Sequence, residues 1–294
     1  MVHDHVVRET LRLVMEMPFD RSAPWMGQRI HRLLREATHN ADPYREVKRH
    51  SNTLALALYP ALKERIRASP DPFATAVSLA IAGNMIDFGC RSNLDDDEVH
   101  AAIDAATESS LDEVALADLR RAVERADDIL YLADNAGEIV FDRLLIEEMP
   151  TDRVILAVRG GPVINDATRE DAETAGLNSL VTVMDNGSDV PGTILESCSP
   201  AFQARFAQSD LVIAKGQGNY ETLCGEDPRI HFLFKAKCPV IARDVGCDVG
   251  RMVVCHKGPM LDEENSILSS SSPRQEASLP DQIGEICSVE GDKG

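Results

Sequence analysis

A chain of 294 residues, 44% of them apolar, is long enough for a substantial core in one large domain or two modest ones. Its 30 basic and 49 acidic side chains give a net charge of −19. Such a balance repels nucleic acid and anionic membrane surfaces. It leaves a phosphorylated metabolite bindable only where a metal ion or a few aimed cations reverse the local field.

No stretch approaches the ~20 continuous apolar residues of a membrane span, and Met1-Val2-His3-Asp4-His5 lacks the layout of a signal peptide. The seven cysteines are odd in number and contain no CxxC, which argues against a disulfide framework and a structural zinc knuckle. A cytoplasmic location is the expectation.

Residues 1–110 carry few strand signals and read as a helical domain. Val6, Leu11, Leu13 and Val14 predict a helix that closes near Pro18, and Trp25 to Ala37 predicts a second. Asp42-Pro43-Tyr44 opens a third, which Pro60 interrupts, leaving Ala61 to Ala68 as a short helix of its own. Ser69-Pro70-Asp71-Pro72 is a turn and helix start, and Phe73 to Ile86 follows as a very apolar, buried helix. Asn84 and Asp87 are polar groups at its end. They either cap the helix and contact the other domain, or line a site. The Asp95 to Glu98 run reads as a solvated helix start.

From Leu111 strands and helices alternate. Leu119 to Asp127 predicts a helix, and Ile129 to Ala133 a strand ending in Asp134-Asn135-Ala136-Gly137. Val154 to Val158 is apolar on both faces, as a buried parallel strand is. Arg159 to Ile164 reads as a loop, and Asn165-Asp166-Ala167-Thr168 opens a helix stopped at Gly176. Leu180 to Met184 is a third strand, Pro191-Gly192-Thr193 opens a helix, and Pro200 to Ala207 is another. Asp210 to Ala214 is a fourth strand, leading into Lys215-Gly216-Gln217-Gly218-Asn219. Ile230 to Phe234, Pro239 to Ala242 and Met252 to Val254 are further candidate strands. The pattern predicts an α/β fold: a helical amino-terminal part packed on a doubly wound, mainly parallel, Rossmann-like sheet, the α/β domain covering 111–258 and a disordered tail covering 259–294.

In such sheets ligands bind outside the carboxyl ends of the strands. Asp134 and Asn135, Asp166, and Lys215 with Asn219 would all converge there. Asp134, Asn135 and Asp166 offer an all-oxygen site for a hard divalent cation. Lys215 offers a point charge to phosphoryl oxygens, and Gly216 and Gly218 let backbone N–H groups approach an anion. The competing reading makes Asp134, Asn135 and Asp166 helix caps and Lys215 a surface lysine. Neither GxGxxG nor GxxxxGK[ST] is present.

Several stretches are similar to the DUF89 family of damage-control phosphatases, also described as the ARMT1-like metal-binding domain. They are Asp-Pro-Tyr at 42–44, Ala-Gly-Asn-Met-Ile-Asp-Phe-Gly at 82–89, and Leu-Ala-Asp-Asn-Ala-Gly-Glu-Ile-Val-Phe-Asp at 132–142. Asn-Asp-Ala-Thr at 165–168, Lys-Gly-Gln-Gly-Asn-Tyr-Glu-Thr-Leu at 215–223 and Lys-Cys-Pro-Val-Ile-Ala at 237–242 complete the set. The resemblance implies a divalent metal (Mn²⁺, Mg²⁺, Co²⁺ or Ni²⁺) on Asp134, Asn135 and Asp166. It places Glu138, Lys215, Asn219 and Gly216 near the substrate, with Asn84 and Asp87. It implies hydrolysis of small phosphomonoesters such as sugar phosphates or phosphopantetheine-like metabolites. A carboxyl methyltransferase using S-adenosylmethionine and a non-catalytic phosphometabolite-binding protein are the alternatives. The prokaryotic branch that the chain most resembles carries a CxxC near its start, whereas the first cysteine here is Cys90. Catalysis is expected from Asp134, Asp166 and Lys215, the nucleophile being either Asp134 itself or a water held by the metal.

Overall fold

The computed structural model describes residues 2–83 and 111–256, all within one compact unit, Met1–Pro259. Asn84, Asp87, the acidic run at 95–98 and the polar segment at 259–294 lie outside the described residues. Four helices come first: α1 (Val2–Glu16), α2 (Ala23–Thr38), α3 (Arg45–Ala68) and α4 (Pro72–Ala82). The start of α4 follows from its sequence. The Asp71 carboxylate accepts from the Ala74 N–H at 3.0 Å, and Pro72 sits in the first turn, where its missing N–H costs nothing. A helix apolar on every side must be buried, and eight of its residues are.

Helix α3 corrects the sequence expectation of a break at Pro60. One helix of 24 residues runs through the proline. Pro60 removes one N–H and crowds the preceding turn at a cost of about 3 kcal/mol. Ala55 on one side of it and Leu62 and Ile66 on the other are buried in a single core. Each large apolar side chain buried contributes about 1.5–3 kcal/mol, which outweighs the proline.

The remainder alternates: α5 (Glu113–Arg125), β1 (Ile129–Leu132), α6 (Glu138–Ile146), β2 (Val154–Val158), α7 (Arg169–Thr174), β3 (Thr182–Asp185), α8 (Pro200–Gln208), β4 (Leu211–Lys215), α9 (Gln217–Leu223), β5 (Ile230–Lys235), α10 (Pro239–Val245) and β6 (Met252–His256). The strands form one sheet in the order β3-β2-β1-β4-β5-β6. The first five are parallel, and β6 joins β5 antiparallel. This is the expected α/β architecture.

Alternate residues of the central strands serve two cores. Ile129, Tyr131, Leu211 and Ile213 pack with α3 and α4, while Leu130, Leu132, Val212 and Ala214 pack with Phe202 and Tyr220. Burial on both faces explains why these strands are apolar throughout rather than alternating.

Two further expectations are corrected. Pro191–Thr193 opens no helix, and only a short 3₁₀ turn, Leu195–Ser197, follows. Gly192 has φ +138, outside the helical region, and lies against the Gly218 carbonyl of α9, which a Cβ there would approach to 2.6 Å. Pro239–Ala242 is the start of α10 rather than a strand, with Pro239 in its first turn and Gly246 ending it at φ +72. Among the described residues no disulfide joins any of the five cysteines. Among the described residues no helix is long and apolar enough to cross a membrane.

Candidate active site

From β1 the chain winds outward to β2 and β3, and from β4 it winds the other way, so the crevice between β1 and β4 is where the winding reverses. Leu132 of β1 stands opposite Ala214 of β4. Asp134-Asn135 and Lys215-Gly216 therefore leave the sheet side by side. Backbone bonds bring the third segment in. Asn135 and Asp166 form an isolated antiparallel bridge, the Ala136 N–H donates to the Asn165 carbonyl at 2.8 Å, and the Ala167 N–H donates to the Asp134 carbonyl at 2.8 Å. Ile164, next to this bridge, is a β-branched residue at φ +43, a strained conformation of the kind that collects at functional sites.

The helix-cap alternatives belong to other residues. Gly137, at φ +78, occupies the N-cap position of α6. Thr168 caps α7 in a capping box with Asp171. Asp166 instead accepts from Arg159 Nε at 2.6 Å. Asn135 Nδ2 donates to Asp134 Oδ2 at 2.7 Å and to Glu138 Oε2 at 3.0 Å. Among the described residues its Oδ1 accepts no hydrogen bond.

Lys215 is fully buried rather than a surface lysine. Its Nζ donates to the Ala80 carbonyl at 2.7 Å, Glu138 Oε1 at 2.7 Å and Asp142 Oδ1 at 2.6 Å, so all three of its protons are used. Asn219, also buried, links three elements. It donates to the Lys215 carbonyl at 2.7 Å, and its Oδ1 accepts from Thr193 Oγ1 at 2.8 Å and Arg159 Nη2 at 3.3 Å. Gly216 has φ +81, and a Cβ on it would fall 2.0 Å from Asp134 Oδ2. Asn84 and Asp87 lie outside the described residues.

Burial, reinforced by Glu138 and Asp166, pushes the Asp134 carboxyl up to about 8, against the opposing pull of Arg159 and Lys237. Burial also raises Asp166, with Arg159 opposing. Asp142 is raised for the same reason, with Lys215 opposing, and among the described residues its Oδ2 has no hydrogen-bond partner. Burial alone would lower Lys215, but Asp142 and Glu138 overrule it and hold the ammonium above the ordinary lysine value.

The amino-terminal helices brace this arrangement. Asn52 of α3 accepts from the Gly137 N–H at 2.7 Å and donates to Asp171 at 2.8 Å. Lys48 lies 3.0 Å from Asp42 and 3.5 Å from Asp171, all three side chains buried.

Sequence reasoning missed Arg159, Asn52, Asp142 and Lys237. Arg159 was within reach, because it directly follows β2 as Asp134 and Lys215 follow or end β1 and β4. Asn52 gave no such signal, being a single polar residue on a helix whose partners Gly137 and Asp171 are distant in the chain. Asp142 stands within the 132–142 stretch that resembles the family, but Lys215, the cation it meets, lies 73 positions away.

The family model described as "Damage-control phosphatase ARMT1-like domain" matches residues 2–253. The chain belongs to this ARMT1-like family. A damage-control phosphatase of Archaeoglobus fulgidus is 36% identical over 254 residues, which are 84% of this chain and 87% of that protein. A damage-control phosphatase of Pyrococcus horikoshii is 39% identical over 218 residues, 73% of this chain and 74% of that one. An uncharacterized protein of Methanocaldococcus jannaschii is 36% identical over 264 residues, 85% of each. A crystal structure of a DUF89 family protein from Pyrococcus horikoshii superposes with a TM-score of 0.79 at 34% identity, covering 87% of this chain and 90% of that one. These ARMT1-like relatives support a phosphatase role in metabolite damage control.

Proposed function

We propose that the chain is a cytoplasmic, metal-dependent phosphatase of small phosphorylated metabolites, with Asp134, Asn135 and Asp166 holding a divalent cation (Mn²⁺, Mg²⁺, Co²⁺ or Ni²⁺). Neither nucleic acid nor a membrane surface is its partner on this reading. The observation that carries it is the buried charge. In the crevice Asp134, Glu138, Asp142 and Asp166 stand around two buried cations, Arg159 and Lys215, while the nearby buried Lys48 is already taken by Asp42 and Asp171. With every group ionised the carboxylates outnumber the cations, an excess of negative charge that a divalent ion would offset. The donors fit a hard cation: two carboxylates and an amide oxygen that accepts no hydrogen bond among the described residues.

A divalent metal held by Asp134, Asn135 and Asp166 would supply neutralisation of charge on the phosphoryl oxygens. The chain's own residues do the rest. Arg159 grips Asp166 at 2.6 Å and stands 3.9 Å from Asp134, fixing both carboxylates. Lys215 acts through Glu138, whose other oxygen takes the Asn135 amide and so turns Oδ1 of Asn135 outward. Lys237, exposed beyond β5 and felt electrostatically at Asp134, is the cation we assign to the phosphoryl oxygens. Water is the nucleophile we assign, since Asp134 gives Oδ2 to the Asn135 amide and, on this reading, its other oxygen would be taken by the metal. Attack opens the P–O ester bond and releases inorganic phosphate and the alcohol. A trapped aspartyl-phosphate would overturn that assignment.

The deciding experiment is phosphate release from a panel of phosphomonoesters, sugar phosphates and phosphopantetheine-like compounds included, by chelator-stripped protein with each metal restored. Release is expected only with metal, falling about 10²–10³-fold in Asp134→Ala. Folded protein that releases no phosphate with any metal would sink the reading.

The raised Asp134 carboxyl adds a pH prediction. The unfolded group ionises at the ordinary aspartate value of 3.8 and the folded group near 8, so between these values the folded protein binds more protons. This contribution to the stability of the metal-free protein therefore falls as pH rises through that window. Metal binding demands the ionised form and should release protons at pH 7, and fewer as the pH rises past about 8. Calorimetric titration in buffers of different ionisation enthalpy measures it, and binding heats independent of buffer at pH 7 would contradict it.

A further inference from the structure

The amino-terminal edge of the sheet, opposite the crevice, carries a second cluster of ligating side chains. His231 is the second residue of β5 and His256 the last of β6, and the two stand opposite each other in the antiparallel ladder. Their rings stack at 4.8 Å between centroids and 10° between planes. Asp118 of α5 closes the group, with Oδ2 3.4 Å from His231 Nε2 and 4.0 Å from His256 Nδ1. One ligating atom from each of the three lies within 4.8 Å of the others.

Three features distinguish this group from a chance surface contact. The first is His231 itself, which is 5% exposed. Among the described residues its buried Nδ1 has no hydrogen bond of ordinary geometry, the Arg229 backbone being its weak partner, and its Nε2 has only the long contact to Asp118. Nε2 of this buried imidazole is thus only loosely satisfied and open to a stronger partner. The second is the tautomer of His256. Its Nε2 pairs with the Pro228 carbonyl and must donate to it, which leaves the lone pair on Nδ1, the nitrogen turned towards Asp118. The third is the carboxylate. Arg121 takes Oδ1 of Asp118 at 3.2 Å, and Oδ2 is the oxygen presented to the imidazoles. A cavity of about 520 Å³ opens beside the group, where Asp127 and Asp210 balance Arg125 and Arg229.

We propose that Asp118, His231 and His256 form a second metal site, for a borderline transition ion of the zinc class, distinct from the all-oxygen site in the crevice. Two imidazole nitrogens and one carboxylate oxygen are a three-ligand set with room for water. Metal–ligand bonds of about 2.0–2.2 Å require the side chains to close in from their present separations and the two imidazoles to turn out of their parallel stack, so that both in-plane lone pairs meet one ion. The ion would tie the edge strand β6 to β5 and α5.

Cobalt distinguishes the two sites, because only this one supplies nitrogen. The full chain, stripped by chelator and loaded with Co²⁺, is expected to show two hyperfine-shifted, exchangeable imidazole N–H proton resonances, one from each histidine. Both should vanish in the His231→Gln, His256→Gln double variant. His256→Gln alone, at a half-exposed position that a folded protein tolerates, should lose its own resonance and weaken Zn²⁺ binding at least tenfold. The same variant should keep metal-dependent phosphate release, should the crevice be the phosphatase site. Zn²⁺ should raise the thermal midpoint of the parent more than that of His256→Gln. Shifted imidazole resonances absent at saturating Co²⁺, or unchanged in the His256→Gln variant, would overturn the proposal.

Discussion

Lys215→Met is expected to destabilise the protein by about 3–5 kcal/mol, the cost of leaving buried charge without its partner. The ammonium is the shared donor to Ala80, Glu138 and Asp142, and none of the side chains involved reaches water. Methionine fills the volume but donates nothing, so two carboxylates and a carbonyl are stranded. Among the described residues Asp142 Oδ2 already lacks a partner, so they offer no spare donor there. Adding Asp142→Asn should recover part of the loss, since it removes one buried charge and keeps an oxygen for the Tyr131 hydroxyl, which now donates to Asp142 at 2.8 Å. Urea unfolding of the parent, single and double variants measures all three. A single variant within 1 kcal/mol of the parent would mean that water enters and hydrates the pair, contrary to its burial.

Gly216→Ala is expected to lower phosphate release at least about 10²-fold, with a loss of stability of about 1–3 kcal/mol. Two effects combine. The backbone sits at φ +81 and ψ 157, a region that glycine alone enters at low cost. The new Cβ would also meet the Asp134 carboxylate at 2.0 Å and 2.2 Å. Relief requires Asp134 to turn, and with it one of the oxygens proposed to hold metal. Gly225→Ala is the control. It has φ +83 with nothing within 4 Å of a Cβ, so it carries the backbone strain without the collision. Metal affinity measured beside stability separates the two causes. Loss of affinity in both variants would trace the effect to general softening rather than to Asp134.

The central strands were legible because burial on both faces imposes an apolar run whatever the neighbours are. Strand β1 ends at Leu132, just before the charged Asp134, and Lys215 is the last residue of β4, so in both strands the first charged side chain marks the end of the apolar run. The doubly wound order follows from the alternation of strand and helix. Other elements depended on packing. Pro60 predicts a break from local chemistry, and the core around Ala55, Leu62 and Ile66 overrides it. Pro239 and Val240 suit a strand or a helix start equally, and Gly246 ending the segment in the left-handed conformation decides for the helix.

The sequence by itself determined the fold class and the polar residues at the strand ends, since both follow from periods of a few residues and from what a buried strand excludes. Only the tertiary structure decided what those residues touch. Arg159 belongs to the site because β2 pairs with β1. Lys215 is a buried brace because α4 and α6 cover it. Asp118 meets His231 and His256 across 113 and 138 positions of chain because an edge strand returns antiparallel. Contacts between residues so far apart carry no local pattern. They exist only once the sheet has brought their elements together.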